Sequence, residues 1–339
     1  MPAGGAALAV LGAGSVGLCV GGRLARAGLD VLFTVRRPEA ARAIAREGVI
    51  VEDPGSGERF TARADAVLLE EAGPRLAGRS VLLCTRSDDT EAAGRALARL
   101  APGAPVASLQ NDVDNAEILA RHFSQVVAGV YRQTCTRIAD GVVRALGNGR
   151  IVLGDWPEGI GLVAEGLAAR LRAAGYDVGL SPHILEDLWL KLCVNLMSAP
   201  NALVRREDHE RREFVEIKAR LLEEARSVLA AAGIAARSCD GRDRSLEDEI
   251  AYQRASLAGG SSARRLPLYN QVWSALKAGG PVEADRYHRR ILVLARRHAV
   301  PAPVNARVLE ALEQAVRERR GPECLGAAEL LDQRVERAS

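Results

Sequence analysis

Leu8-Ala-Val-Leu-Gly12-Ala-Gly14-Ser-Val-Gly17 is a short apolar run that enters a G-x-G-x-x-G turn and continues into a helical stretch, residues 15–27. The three glycines have separate physical tasks. Gly12 makes the tight turn, Gly14 lets the backbone approach a pyrophosphate, and Gly17 permits close packing of helix on strand, while free N–H groups at the helix start face the anion. A glycine triplet alone is a weak signal, but a strand before it and a helix after it make a dinucleotide-binding turn the expected reading.

Outward from this turn, residues 6–180 alternate apolar strand-like runs with helical stretches, the pattern of a mostly parallel sheet covered by helices. Strands are expected at 6–11, 30–35, 80–85, 105–109 and 126–130, and helices at 15–27, 38–47 and 88–100. Closely spaced runs at 134–139, 142–145 and 150–153, separated by Ala139-Asp140-Gly141 and Gly147-Asn148-Gly149, predict antiparallel additions. A helix at 161–174 and a strand at 177–180 end this half. Beyond Ser181-Pro182 the strand signal vanishes and the pattern is helical, apart from loops at 235–245 and 258–267. Around Phe214 the apolar residues Ile217, Leu221, Ala225 and Val228 follow at helical spacing, forming one buried stripe. The expected architecture is α/β: a Rossmann-like, doubly wound N-terminal domain (1–180) followed by an all-helical C-terminal domain (181–339).

Composition narrows the function. The 339 residues are 48% apolar and 26% charged, as in an ordinary globular chain with room for two medium domains. A net charge of +3 without a polybasic block supplies no field for nucleic acid. Every apolar run is broken by Arg, Asp or Glu before 18 residues, so no membrane span is expected. The six cysteines show no C-x-x-C spacing, which predicts reduced core thiols, no metal site and a cytoplasmic setting. Only Lys191, Lys218 and Lys277 are lysines, against 43 arginines among 46 cationic residues. Each lysine is therefore a less casual choice than usual.

Arg36-Arg37 follow the second strand, where a NAD-specific protein usually offers a carboxylate to the ribose. An arginine there can pair with a 2′-phosphate, which favours NADP over NAD; a solvated surface role is the alternative. Two more strand ends should reach the same crevice: Cys84-Thr85-Arg86, ending in a cation, and Leu109-Gln110-Asn111-Asp112, ending in an amide, each also readable as a plain strand cap. In the helical half, Lys191 and Asn195 are four residues apart and share a helix face among Leu, Cys, Val and Met. They read either as a snorkelling lysine with a surface amide or as a proton donor beside a substrate-binding amide.

Together these features resemble the ketopantoate reductase (2-dehydropantoate 2-reductase) family over nearly the whole chain. The resemblance rests on the glycine turn, Arg36, Leu109-Gln110-Asn111, the Trp189-Leu-Lys191-Leu-Cys-Val-Asn195 helix, and Gly279-Gly280-Pro281-Val-Glu283-Ala-Asp285 followed by Pro301-Ala-Pro303-Val-Asn305. It implies a reductase of a small 2-keto acid-like carbonyl compound with NADPH as hydride donor. It also implies Lys191 as the catalytic proton donor, Asn195 as a substrate-binding amide, Asn111 as a neighbour of cofactor and substrate, and Glu283 as a ligand of the substrate's hydroxyl. The cofactor set is then Gly12, Gly14, Ser15, Val16, Gly17, Arg36, Arg86, Asn111 and Glu283. The chain departs from the family pattern at Ala199, Gln271 and Ala275, where polar substrate ligands usually stand, and at Asp112, where glycine usually follows the Gln-Asn pair. Ketopantoate is accordingly expected to be a poor substrate unless Ser198, Asn201 or Ser262 fills the vacated positions. A reductase of a larger ketone or an imine in a specialised pathway, and a non-catalytic NADP-binding sensor, are the competing functions. A homodimer stays open as the assembly.

Overall fold

The first strand, β1 (Leu8–Leu11), is wholly buried, as a four-residue apolar run must be when both faces are covered. A computed structural model describes residues 7–255 and 270–332. Within them the remaining strands are β2 (Val31–Val35), β3 (Val49–Asp53), β4 (Glu58–Ala62), β5 (Asp65–Leu68), β6 (Ser80–Leu83), β7 (Val106–Ser108), β8 (Val126–Arg132), β9 (Cys135–Ala139), β10 (Val142–Ala145), β11 (Arg150–Asp155) and β12 (Asp177–Leu180). By internal packing the chain divides into residues 1–188 and 189–339, with the division inside the continuous helix Ile184–Asn195.

In the first unit, eight strands form a sheet in the order β12-β11-β8-β7-β6-β1-β2-β5, parallel throughout except where β11 runs against β8. β1 lies between β2 and β6, so the winding reverses beside it and leaves a crevice at the carboxyl ends of these strands. A second sheet, β4-β3-β10-β9, is not among the expected features, and neither are β3, β4 and β5. It packs on the outer face of the helix Ser15–Arg26. Two adjacent glycines allow that sandwich: a Cβ on Gly21 would stand 2.3 Å from Phe33 Cζ of β2, and one on Gly22 would stand 2.8 Å from Val49 Cγ1 of β3. Cys19, Cys84 and Cys135 are buried in this unit, and burial drives the Cys84 thiol's pKa far up, so it stays protonated.

The second unit is helical apart from the single bridge Val204–Leu325 among its described residues. Its long helix, Arg212–Ala231, buries Phe214, Ile217, Leu221, Ala225 and Val228, the stripe expected from sequence. Glu224 of the same helix uses both carboxylate oxygens to cap the helix Pro303–Arg317, accepting from the N–H groups of Val304 (2.8 Å) and Asn305 (2.9 Å). The Asn305 side chain donates to Glu224 and to the Leu221 carbonyl, which leaves its oxygen to accept from His288 Nδ1 at 3.0 Å. A neutral imidazole has one proton, so with Nδ1 donating, Nε2 is left as an acceptor with no hydrogen-bond partner.

His288 is fully buried, and burial lowers its pKa from 6.5 to about 4. The unfolded chain therefore binds the extra proton first. This residue's contribution is complete above its unfolded pKa and shrinks as pH falls toward about 4, by up to roughly 3 kcal/mol. Urea unfolding across this range should show stability falling with pH, and His288→Gln should remove about one proton's worth of that slope. An unchanged slope in the variant would show that His288 is not buried neutral.

Candidate functional site

The glycine turn closes on a contact that no other residue allows. A Cβ at Gly17 would lie 1.9 Å from the Gly12 carbonyl oxygen, and Gly12 itself has φ +105° with Thr85 against its α-carbon. Gly14 differs, because apart from its own neighbours in the chain the nearest protein atom to where its Cβ would be is the Cys84 carbonyl oxygen at 3.9 Å. It serves as N-cap of the helix Ser15–Arg26 without a side-chain cap, and the first turn carries no acid. The helix thus presents uncapped N–H groups and the positive end of its dipole beside open space, a cradle that fits a pyrophosphate. Ser15 Oγ accepts the Arg137 N–H at 3.0 Å, tying the cradle to β9, and Val16 packs partly buried against the core.

Arg36, Arg86 and Asn111 follow β2, β6 and β7 and so stand along the same edge as the glycine turn. The Arg36 side chain is 75% exposed and pairs with Asp89 at 3.3 Å, while Arg86 pairs with Asp88 at 3.0 Å. Beneath them lies a buried amide and hydroxyl cluster that sequence reading passes over. The Gln110 side-chain NH2 donates to Thr85 Oγ1 (3.1 Å), the Arg86 carbonyl (3.1 Å) and Thr90 Oγ1 (2.9 Å). Thr90 donates to Asn115 Oδ1 at 2.7 Å, and Asn115 Nδ2 donates to the Asn111 carbonyl at 2.6 Å, which also accepts from Ser87 Oγ. Gln110 is therefore a bracket, and Asn111 is the residue this cluster sets at the crevice. Asp112 next to it holds φ +93°, a left-handed backbone that favours glycine, with its Oδ1 accepting the Val113 N–H at 2.8 Å.

In the second unit, the helix Ile184–Asn195 carries Lys191 and Asn195 one turn apart. Lys191 is only 9% exposed and Asn195 is half-buried. Cys193 of this helix is a core thiol whose pKa burial pushes up to about 12. Ala199 is fully buried, so no side-chain polar group stands at that position, and Gln271 is exposed. Asn270 caps the helix Gln271–Lys277 and also donates to the Ser198 carbonyl at 2.8 Å. Glu283 immediately precedes the helix Ala284–Arg297, whose His288 faces Leu196, the residue after Asn195. Ser262 lies outside the described residues. Among those residues no helix is long and apolar enough to cross a membrane.

A doubly wound sheet with an uncapped glycine turn at its switch point, joined to a helical unit, defines a dinucleotide-binding α/β protein. The chain belongs to the ketopantoate reductase family: the profile for ketopantoate reductase PanE/ApbA matches residues 8–158, and that for its C-terminal part matches 183–316. It is an NADP-dependent oxidoreductase, a reductase that uses NADPH. The 2-dehydropantoate 2-reductase of Halobacterium salinarum is 27% identical over 302 residues, spanning 87% of this chain and 94% of that protein. The crystal structure of a PanE/ApbA family ketopantoate reductase from Ralstonia eutropha superposes with a TM-score of 0.75 at 25% identity, covering 92% of this chain and 99% of that one. The D-mandelate dehydrogenase structure with NADH and anilino(oxo)acetate shares the fold, with a TM-score of 0.78 at 20% identity over 93% and 99% of the two chains.

Asn115→Leu keeps the side chain's size but strips Thr90 and the Asn111 carbonyl of a buried partner. It should destabilise the protein by roughly 1–3 kcal/mol, read as a lower urea midpoint at unchanged m-value. An unaltered midpoint would show that the cluster contributes nothing to holding the crevice loops.

Proposed function

We propose that this protein reduces a small 2-keto acid-like carbonyl compound other than ketopantoate, with Lys191 as proton donor. The observation that carries the reading is Lys191 itself, one of three lysines in an arginine-dominated chain, buried and placed one helical turn before Asn195. A buried ammonium is costly and is seldom retained without a task.

The backbone N–H groups at Gly14–Gly17 would hold the pyrophosphate, Arg36 the 2′-phosphate, and Arg86 and Asn111 the neighbouring polar groups of the dinucleotide. When bound, NADPH supplies the hydride. As the substrate's carbonyl oxygen gains charge, the Lys191 ammonium stabilises it and gives up a proton to it. Lysine suits this task because its ammonium form both stabilises developing negative charge and carries a proton to give. The Asn195 amide holds the carbonyl end, and Glu283 accepts a hydrogen bond from a polar group remote from the reacting carbon. Substrate choice follows from Ala199, buried without a polar side chain where the family usually places an asparagine, and from Gln271 and Ala275, which replace two further polar ligands.

Lys191→Ala should lower kcat by about 10²- to 10⁴-fold while the NADPH Kd stays within about twofold. Lys191→Arg should not restore turnover, because guanidinium is a far weaker acid. A loss below tenfold in stopped-flow NADPH oxidation would make the lysine structural. Among 2-keto acids, ketopantoate should give kcat/KM below about 10⁴ M⁻¹s⁻¹, with another member turned over faster. A higher value for ketopantoate would show that the missing ligands are compensated.

A further inference from the structure

The turn after β6, Ser87-Asp88-Asp89, delivers a carboxylate to each of two crevice arginines. Asp89 pairs with Arg36, 53 residues away in sequence, through contacts of 3.3 and 3.4 Å, and Asp88 pairs with Arg86 at 3.0 Å. Asp89 stands at the N-cap of the helix Thr90–Leu100, where an aspartate ordinarily accepts a hydrogen bond from the helix's own N–H groups. Here it makes no such bond, and its carboxylate turns to Arg36 instead. Nor is the turn a loose surface loop. Gln110 grips the Arg86 carbonyl at 3.1 Å, and Asn115 Nδ2 donates to Ser87 Oγ at 3.2 Å, so the backbone that aims Asp89 is anchored to the buried cluster.

We propose that Asp89 is a specificity-determining residue that acts as an internal competitor for the cofactor's 2′-phosphate, occupying Arg36 until the phosphate displaces it. The inference rests on the reading of Arg36 as the 2′-phosphate partner. A guanidinium cannot keep full pairing with a carboxylate while engaging a dianionic phosphate, so each binding event exchanges one anion for another. The exchange lowers affinity for NADPH but leaves NADH untouched, since NADH has nothing to offer Arg36. Asp89 therefore narrows the preference that Arg36 creates. Because the pair is exposed, the effect is modest and sensitive to salt.

The test is isothermal titration of the ligand-free, full-length protein with NADPH, NADH and adenosine 2′,5′-bisphosphate. Wild type, Asp89→Asn, Arg36→Ala and the double variant would be compared at low and high ionic strength. Asp89→Asn should tighten NADPH and the bisphosphate by about three- to tenfold at low salt and NADH by less than about twofold. The gain should shrink at high salt and vanish in the Arg36→Ala background. Unchanged or weaker NADPH binding by Asp89→Asn, or an equal gain for both cofactors, overturns the competitor while leaving the role of Arg36 intact. If Arg36→Ala binds NADPH and NADH as the wild type does, the phosphate role of Arg36 falls, and the competitor falls with it.

Discussion

The approach of Gly17 to the Gly12 carbonyl, too close for any side chain, is the contact on which the first unit is built. It docks the start of the helix Ser15–Arg26 against the end of β1, and this docking points the uncapped N–H groups into the crevice. Gly21 and Gly22 extend the same logic along the helix, which lies near enough to β2 on one side and β3 on the other to be clamped between two sheets. A helix held at such distances has little freedom to tilt, so the anion cradle is preorganised rather than formed on binding.

Around that cradle, charge is arranged so that arginines are neither bare nor permanently satisfied. Arg36 and Arg86 are paired with the half-buried Asp89 and the exposed Asp88 of one turn, and Arg37 and Arg137 share Asp140. Exposed pairs of this kind add little to stability and are easily exchanged. The buried amides and hydroxyls beneath them behave differently. Gln110, Thr90 and Asn115 are nearly inaccessible to solvent and satisfy one another, so they hold the loop backbones rigid while the charges above remain exchangeable.

The second unit solves the same problem with helix ends. Glu224 caps the helix Pro303–Arg317 with both oxygens, Asp208 accepts the Ala327 N–H at 2.8 Å, and Asn305 links Glu224 to His288. These long-range caps secure the helices around the segment that carries Asn195, and they place a neutral ring beside Leu196.

Sequence by itself determined the features that local pattern encodes. The glycine turn, the mainly apolar strands β1, β2 and β6, the helix that brings Lys191 and Asn195 to one face, and the antiparallel runs around residues 135–155 all follow from apolar runs, helical periodicity and turn residues. Tertiary structure alone decided the rest. β3 and β5 each hold only three consecutive apolar residues beside a charged one, and β4 mixes charged with apolar positions, so none stands out as a buried run, and β3 becomes a central strand only by pairing with β10, some ninety residues later. Arg36 reads as a solvated or phosphate-pairing cation until Asp89 is folded against it, Gln110 shows no sign of its bracing role until Thr85 and Thr90 meet its amide, and His288 shows no sign of burial until Asn305 arrives from another helix. In each case the deciding partner is distant along the chain. A residue's neighbours in sequence constrain its backbone, but its charge state, exposure and hydrogen bonds are set by whatever the fold packs against it.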